Sequence, residues 1–323
     1  GDPDAFTAER ADQLNYADLT VSIPTHHKVG DIEWPDQTPP DPTRHFITVD
    51  RTSLDHQQFR SAIRANARSG AVDAKEVLVF VHGYNTLYQE SVYRFAQIVH
   101  DTGFQGTAIL FAWPSRGATS LYVADREAST YSRDYLEQLL VDLSGMPEVA
   151  QINLMAHSLG NWPVVEALRQ AKLKGHGTFN GKLAEVILAA PDLDVGVFRT
   201  QLEVIGKLPR PITIMVSRDD KALALARALA GGVDRVGSPD LSNPQAMAAV
   251  MKYNLRVIDI TDVKGLDSTN HIKFAQSRVI TQAIGHGLAS EHKGGILAQG
   301  GVVQAVTDVG QSIIKVPSQV LGL

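Results

Sequence analysis

Three side chains in this sequence are of the types that can together make a hydroxyl reactive. They are Ser158, an aspartate of "SRDD" (217–220) and His271 of "NHIKF" (270–274). A serine hydroxyl alone is too weakly acidic to attack an ester. A histidine can take its proton and later return it to the leaving group, while a carboxylate fixes the imidazole tautomer and stabilises the imidazolium. The chemistry expected is therefore acyl transfer through an acyl-serine. Ser158 stands in "INLMAHSLGN" (152–161), an apolar run that stops at a histidine, a serine and a glycine. Serine is also a favoured helix N-cap, so residue type alone does not separate nucleophile from cap.

The elements that must position these groups are legible as apolar runs. "EVLVFVHG" (76–83), "GTAILFAWPS" (106–115), "QINLMAHS" (151–158), "EVILAAPD" (185–192), "PITIMVSRDD" (211–220) and "LRVIDITD" (255–262) read as strands buried on both faces. Segments 86–101, 121–143, 159–173, 219–231 and 272–287 carry apolar residues at three- and four-residue spacing and read as helices. Six strand–helix alternations predict an α/β fold with a mostly parallel, doubly wound sheet. Residues 1–70 read as strands and loops, with strands expected near Leu19–Ile23 and Phe46–Val49. Residues 71–288 form the core of a single domain. Residues 289–323 are a glycine-rich apolar tail of unassigned role, with an oligomer contact one possible use.

Functional groups in such sheets gather at the carboxyl ends of strands. There the chain carries "HGYN" (82–85), Trp113 to Arg116, Ser158, Asp192 and Asp194, Asp219 and Asp220, and beyond the last strand His271. Serine, carboxylate, histidine is the chain order of an α/β-hydrolase triad. For the acid, Asp220 leads, with Asp219, Asp192 and Asp194 as alternatives; Asp219 suits an N-cap for "KALALARALA". The tight turn needs small residues two before and two after the serine, here Ala156 and Gly160. The Leu159 amide, with a second from the loop after the first long strand, at Tyr84, would face an oxyanion. His82 and His157 flank the serine and read as backbone supports. Pro163 falls five residues into a helix counted from Ser158, where a missing N–H is expected to disturb the first turns.

Composition narrows the rest. The chain has 323 residues, 30 basic and 35 acidic, for a net charge of −5 with no basic block. Nucleic acid, whose binding needs clustered Lys and Arg, is an unexpected partner. There are no cysteines, which excludes disulfides and thiolate chemistry. No uncharged stretch reaches the ~20 apolar residues of a membrane span. The chain starts at Gly1, leaving the compartment open between exported or periplasmic and cytoplasmic.

The ordered motifs "VFVHGYN", "FAWPSRG", "YVADREAS", "MAHSLGNW", "SRDDKAL" and "NHIKF", with "VSIPTHHKVGDIEWP" before them, resemble the bacterial α/β-hydrolase family DUF900 over about residues 17–285. The resemblance implies an α/β-hydrolase fold and a serine esterase or lipase-like enzyme without metal or organic cofactor. It implies Ser158 as nucleophile, Asp220 as acid, His271 as base, and the Tyr84 and Leu159 amides as oxyanion donors. A further family patch falls on Tyr122, Asp125 and Arg126 and reads as a polar tie between helix and sheet. Proline at 163 departs from the family's usual aliphatic residue.

Only about twenty residues, 191–210, separate the fourth and fifth of these strands, too few for a large cap domain. An open cleft for a small-molecule ester with a short to medium acyl chain is expected, walled by Leu87, Trp113, Trp162 and Phe198 beside Tyr84. Rival readings are acyltransferase, amidase or peptidase chemistry on the same residues. A catalytically silent, envelope-associated binding module is a third.

Overall fold

The computed structural model describes residues 6–239, 244–265, 267–278, 280–282 and 284, and the backbone of 304–305 and 313–315. Six parallel strands form its centre: β3 (Glu76–Val81), β4 (Thr107–Phe111), β5 (Gln151–His157), β6 (Leu183–Ala189), β7 (Ile212–Val216) and β8 (Leu255–Asp259). They lie in the order β4-β3-β5-β6-β7-β8, and every neighbouring pair is parallel.

The strand sequences explain this burial. Along β3, Val77, Val79 and Val81 enter one core, while Leu78 and Phe80 enter another on the opposite face. The same period of two recurs in β6, where Val186 and Leu188 face one core and Ile187 and Ala189 the other. Helices cover both layers. α3 (Tyr122–Gly145), α4 (Asn161–Leu173) and α5 (Val195–Ile205) supply Leu136, Leu140, Val164, Leu168 and Leu202 to the first core. α2 (Tyr88–Thr102) and the short α8 (Lys273–Gln276) supply Phe95, Ile98 and Phe274 to the second. α6 (Lys221–Leu229) and α7 (Pro244–Lys252) lie between β7 and β8.

The N-terminal part is an antiparallel pair, β1 (Tyr16–Ser22) with β2 (Ile47–Leu54), forming a separate two-stranded sheet. It also holds a helix, α1 (His56–Ala67), where only strands and loops were expected. Its start is explained by a capping box, Asp55 accepting from the Gln58 amide at 2.8 Å and Gln58 Oε1 from the Asp55 amide at 2.8 Å. Between β6 and β7 there is one helix of 11 residues, α5, and no cap domain among the described residues. The C-terminal tail lies mostly outside the described residues. Two short strands, β9 (Gln304–Ala305) and β10 (Ile313–Lys315), continue the sheet, with β10 pairing parallel to β8.

Topology selects where a ligand can sit. The chain leaves β3 toward β4 on one side and leaves β5 toward β6 on the other. The crossovers thus part between β3 and β5, and at their carboxyl ends the crevice of an open α/β sheet opens. Val81 and Ala156 are paired at these two ends, so the residues that follow, His82–Tyr84 and His157–Leu159, flank that crevice.

Candidate active site

The residue that leaves β5 at the crevice is Ser158. Its φ is +52°, the left-handed region, which costs a non-glycine residue roughly 1–2 kcal/mol. One short 3-10 turn, Ser158–Gly160, follows, and only then does α4 begin at Asn161. Close backbone approach dictates the small residues around it. A Cβ on Gly160 would lie 2.2 Å from the His82 carbonyl oxygen, and one on Gly83 would lie 2.9 Å from Ser158 Cβ. Ala156 is fully buried within β5 and fits there as alanine.

Because α4 starts at 161, Pro163 lies in its first turn. Amide groups there have no intrahelical acceptor, so proline removes nothing. The disturbance expected from counting the helix from Ser158 is absent. The Asn161 side chain instead ties the turn down, donating to the carbonyls of Ser158 at 2.8 Å and Ala189 at 3.1 Å.

Each candidate carboxylate has a distinct partner. His271 Nδ1 donates to Asp220 Oδ2 at 2.6 Å, and Asp220 Oδ1 accepts the Leu223 amide at 2.9 Å. Asp220 therefore both holds the histidine and caps α6; the cap expected at Asp219 falls one residue later. Asp219 instead takes the buried Lys273 ammonium, at 2.7 and 2.8 Å on its two oxygens. Burial works to raise the Asp219 carboxyl pKa, but hydrogen bonds from Lys273 and Ser217 and the lysine charge carry it below its ordinary value. Asp194 caps α5 by accepting the Val197 amide at 2.9 Å. Asp192 accepts the Tyr122 hydroxyl at 2.8 Å and faces Arg235 Nε at 3.2 Å, while burial raises its pKa.

The loop that carries His271 is held from several sides. The His271 amide donates to Asp267 Oδ2 at 3.1 Å, and its carbonyl accepts from His157 Nε2 at 3.2 Å. The rings of His157 and His271 lie 4.5 Å apart, so the histidine stands against the residue preceding the serine. Among the described residues, no hydrogen bond joins the Ser158 hydroxyl to the His271 ring; such bonds often tighten only with substrate bound. With Nδ1–H committed to Asp220, Nε2 is the nitrogen left to act as a base.

α8, immediately after His271, is gripped from α2 and the N-terminal loop. Gln97 Nε2 donates to the Ala275 carbonyl at 3.0 Å and to Asp101 Oδ2 at 2.5 Å. Asp101 also accepts the Gly30 amide at 2.8 Å and the His27 ring at 3.0 Å. The motif "THHKVGDIE" thus works at a distance, as a clasp on the histidine loop.

On the other side of the crevice, His82 and Trp113 form a rigid pair. Their rings stack at 4.9 Å, Trp113 Nε1 donates to the His82 carbonyl at 2.8 Å, and His82 Nε2 meets the Trp113 carbonyl at 3.0 Å. Burial outweighs the two carbonyls around the His82 ring and pulls its pKa down to about 4. Burial and the neighbouring His271 likewise push His157 well below the usual histidine value.

The Tyr84 amide has no protein acceptor among the described residues, and Leu159 lies in the opening turn, where N–H groups lack intrahelical acceptors. The loop bearing Tyr84 is fixed by Asp125, which is fully buried. Its carboxylate accepts the Ser115 hydroxyl at 2.7 Å, the Arg116 amide at 2.8 Å and the Asn85 amide at 3.4 Å. It joins "HGYN" to "FAWPSRG", so the tie runs from helix to two loops rather than from helix to sheet.

Of the expected cleft walls, Trp113 and Phe198 lie in the hydrophobic core, 2 and 5 % exposed. Leu87 is exposed, and with Trp113 it lines a cavity of about 250 Å³ closed by residues 6–8, to which neither Ser158 nor His271 contributes. Trp162 is partly buried at the start of α4, its Nε1 donating to Thr130 Oγ1 at 2.9 Å. Among the described residues, no group of three or more His, Asp or Glu side chains is arranged to hold a metal ion. No described helix is long and apolar enough to cross a membrane.

A family model described as an alpha/beta hydrolase of unknown function, DUF900, matches residues 57–287. No curated protein matches the chain. Among solved structures, a cutinase-like protein from Cryptococcus sp. is 16% identical, with TM-score 0.36, covering 67% of this chain and 93% of its own. Aspergillus fumigatus lipase B is 14% identical, with TM-score 0.40, covering 81% of this chain and 62% of its own. An acetyl xylan esterase is 12% identical, with TM-score 0.37, covering 66% of this chain and 98% of its own.

Proposed function

We propose that this chain, which belongs to the α/β-hydrolase family DUF900, is a serine hydrolase that cleaves carboxylic esters through Ser158. The observation that carries the reading is the left-handed Ser158 at the β3/β5 crevice, with the His271–Asp220 pair packed against the adjacent His157.

In this reading Ser158 Oγ attacks the ester carbonyl and His271 Nε2 takes its proton. Asp220 keeps the Nδ1–H tautomer and stabilises the imidazolium without itself being protonated. The negative oxygen of the tetrahedral intermediate is met by the Tyr84 and Leu159 amides. One such donor is worth about 3 kcal/mol of transition-state stabilisation. The intermediate collapses as His271 returns its proton to the departing alcohol, leaving an acyl-serine. Water, deprotonated by His271, then adds to the acyl carbon, and the second tetrahedral intermediate collapses as His271 returns that proton to the departing Ser158 Oγ, freeing the acid.

Asp220 suits the role for a second reason. Its second oxygen is fixed at the N-terminus of α6 by the Leu223 amide, so the carboxylate that faces His271 is held in one orientation. The short β6–β7 connection supports an open cleft and soluble esters of short to medium chain length.

A panel of p-nitrophenyl esters from acetate to dodecanoate tests this. Turnover is expected, highest at short to medium chain lengths and abolished in Ser158→Ala. Absence of turnover across the panel by the folded protein would overturn it, and acyl transfer to an added alcohol outcompeting water would reassign it to acyltransferase chemistry.

A further inference from the structure

Tyr122, Arg126 and Thr130 recur at four-residue spacing on α3 and so share one face. That face looks onto the serine turn. The Tyr122 hydroxyl donates to Asp192 at 2.8 Å, and the Asp192 amide donates to the Ser158 carbonyl at 3.2 Å. The Tyr122 ring also meets the Tyr84 ring edge-on at 5.2 Å. One turn further along, the Arg126 guanidinium lies 5.2 Å from the centroid of the Trp162 ring, four residues after Ser158 in sequence. Thr130 completes the row by accepting the Trp162 N–H.

The other charges on this wall are paired or bonded within the protein. Asp192 faces Arg235, and Asp125 is filled by Ser115 and backbone amides. Arg126 differs. Among the described residues its guanidinium has no carboxylate within ion-pair distance and donates no hydrogen bond; it lies over the face of Trp162, and its charge reaches the Asp192 carboxylate only from a distance. Nor does the helix account for it. Arg126 is the fifth residue of α3, far from the C-terminal turn in which the helix dipole would favour a cation. A half-buried guanidinium backed by an aromatic face presents its planar N–H fork to a ligand, and that fork matches a carboxylate.

We propose that Arg126, backed by Trp162, forms a subsite beside Ser158 for a carboxylate carried by the substrate. Anionic esters are then the preferred class. The inference rests on the reading of Ser158 as the nucleophile, and it names what that nucleophile acts on.

Two kinds of anionic ester separate the sides of the site. Mono-p-nitrophenyl succinate carries the charge on its acyl part, and the butyrate ester of 4-hydroxybenzoate carries it on the alcohol part. Each is compared with its neutral methyl-ester counterpart at low ionic strength. One of the two anionic esters is expected to exceed its counterpart at least tenfold in kcat/KM, chiefly through a lower KM. That ratio should fall to within twofold of unity in Arg126→Met, shrink with added salt, and be partly kept in Arg126→Lys. A ratio near unity in the native protein, or one that survives in Arg126→Met, would overturn the subsite while leaving the esterase reading intact.

Calorimetric titration with monomethyl glutarate tests the subsite without turnover. Millimolar binding by the native protein that is lost in Arg126→Met supports it even if no ester is cleaved. No binding, or equal binding by both, counts against it.

Discussion

Asp220 divides its two carboxylate oxygens between His271 Nδ1, at 2.6 Å, and the Leu223 amide, at 2.9 Å. One side chain thereby couples the histidine to the start of α6, while its neighbour Asp219 is spent on Lys273. Exchange of the two roles by mutation is therefore asymmetric. Asp220→Asn should lower kcat about 10⁴-fold, as loss of the correct tautomer does elsewhere. Asp219→Asn should leave kcat within tenfold and lower Tm instead, because it strips the buried Lys273 of its anion. Steady-state kinetics and thermal melts of both variants check this, and an inverted pattern would assign the acid to Asp219.

The elbow admits no side chain at Gly160, where a Cβ would fall 2.2 Å from the His82 carbonyl. Gly160→Ala is expected to displace the serine turn and cost at least 100-fold in kcat/KM. Ala156→Gly lies inside β5, where added backbone freedom costs about 1 kcal/mol of stability and leaves the turn in place. Ester kinetics paired with denaturant unfolding distinguish the two effects.

Gly30 has a φ of +90°, and a Cβ on it would lie 2.4 Å from the Gln276 carbonyl oxygen, at the end of the helix that follows His271. Gly30→Ala should therefore lower kcat with little change in KM, besides lowering Tm. Gly103, at the end of α2, has a φ of +70° but open space around it, so Gly103→Ala should carry only the strain of about 1–2 kcal/mol. Equal kcat in the two variants would mean that the N-terminal clasp does not position His271.

His82 is buried with its pKa pulled down to about 4 from 6.5. The folded state holds it neutral, whereas the unfolded chain binds a proton on it below about pH 6.5. Stability is thus complete above that pH and falls as pH drops from 6.5 toward 4, by on the order of 3 kcal/mol from this one residue. His157 acts in the same direction. The lowered carboxylates Glu33, Asp219 and Asp267 act lower still, since their stabilisation is lost only as pH falls through folded values below the ordinary carboxylate range. Urea unfolding at pH 7.5, 6.0 and 5.0 should show a falling midpoint; a flat midpoint would contradict the burial of a neutral His82.

Much of this was legible in the sequence, for physical reasons that also explain the gaps. β3 to β8 were readable because strands buried on both faces need apolar residues at every position, as in "EVLVFV". The order Ser158, Asp220, His271 was readable because strand ends converge in a parallel sheet. The start of α4 at Asn161 was not, since it depends on the left-handed Ser158 and the extra turn that follows. Trp113 and Phe198 read as cleft walls in the sequence but pack into the core, because aromatic type does not reveal which side of a loop or helix faces inward. Asp125 and Lys273 hold partners that are distant or carried on other loops, and only the fold brings those groups together.

An activated nucleophile at Ser158 is open to a covalent probe. The most direct measurement is labelling of the native protein with a fluorophosphonate, followed by mass-spectrometric mapping of the modified peptide. A single adduct on the Ser158 peptide is expected, absent in Ser158→Ala and His271→Ala. No adduct on the folded protein, or an adduct on another residue that persists in Ser158→Ala, would contradict it.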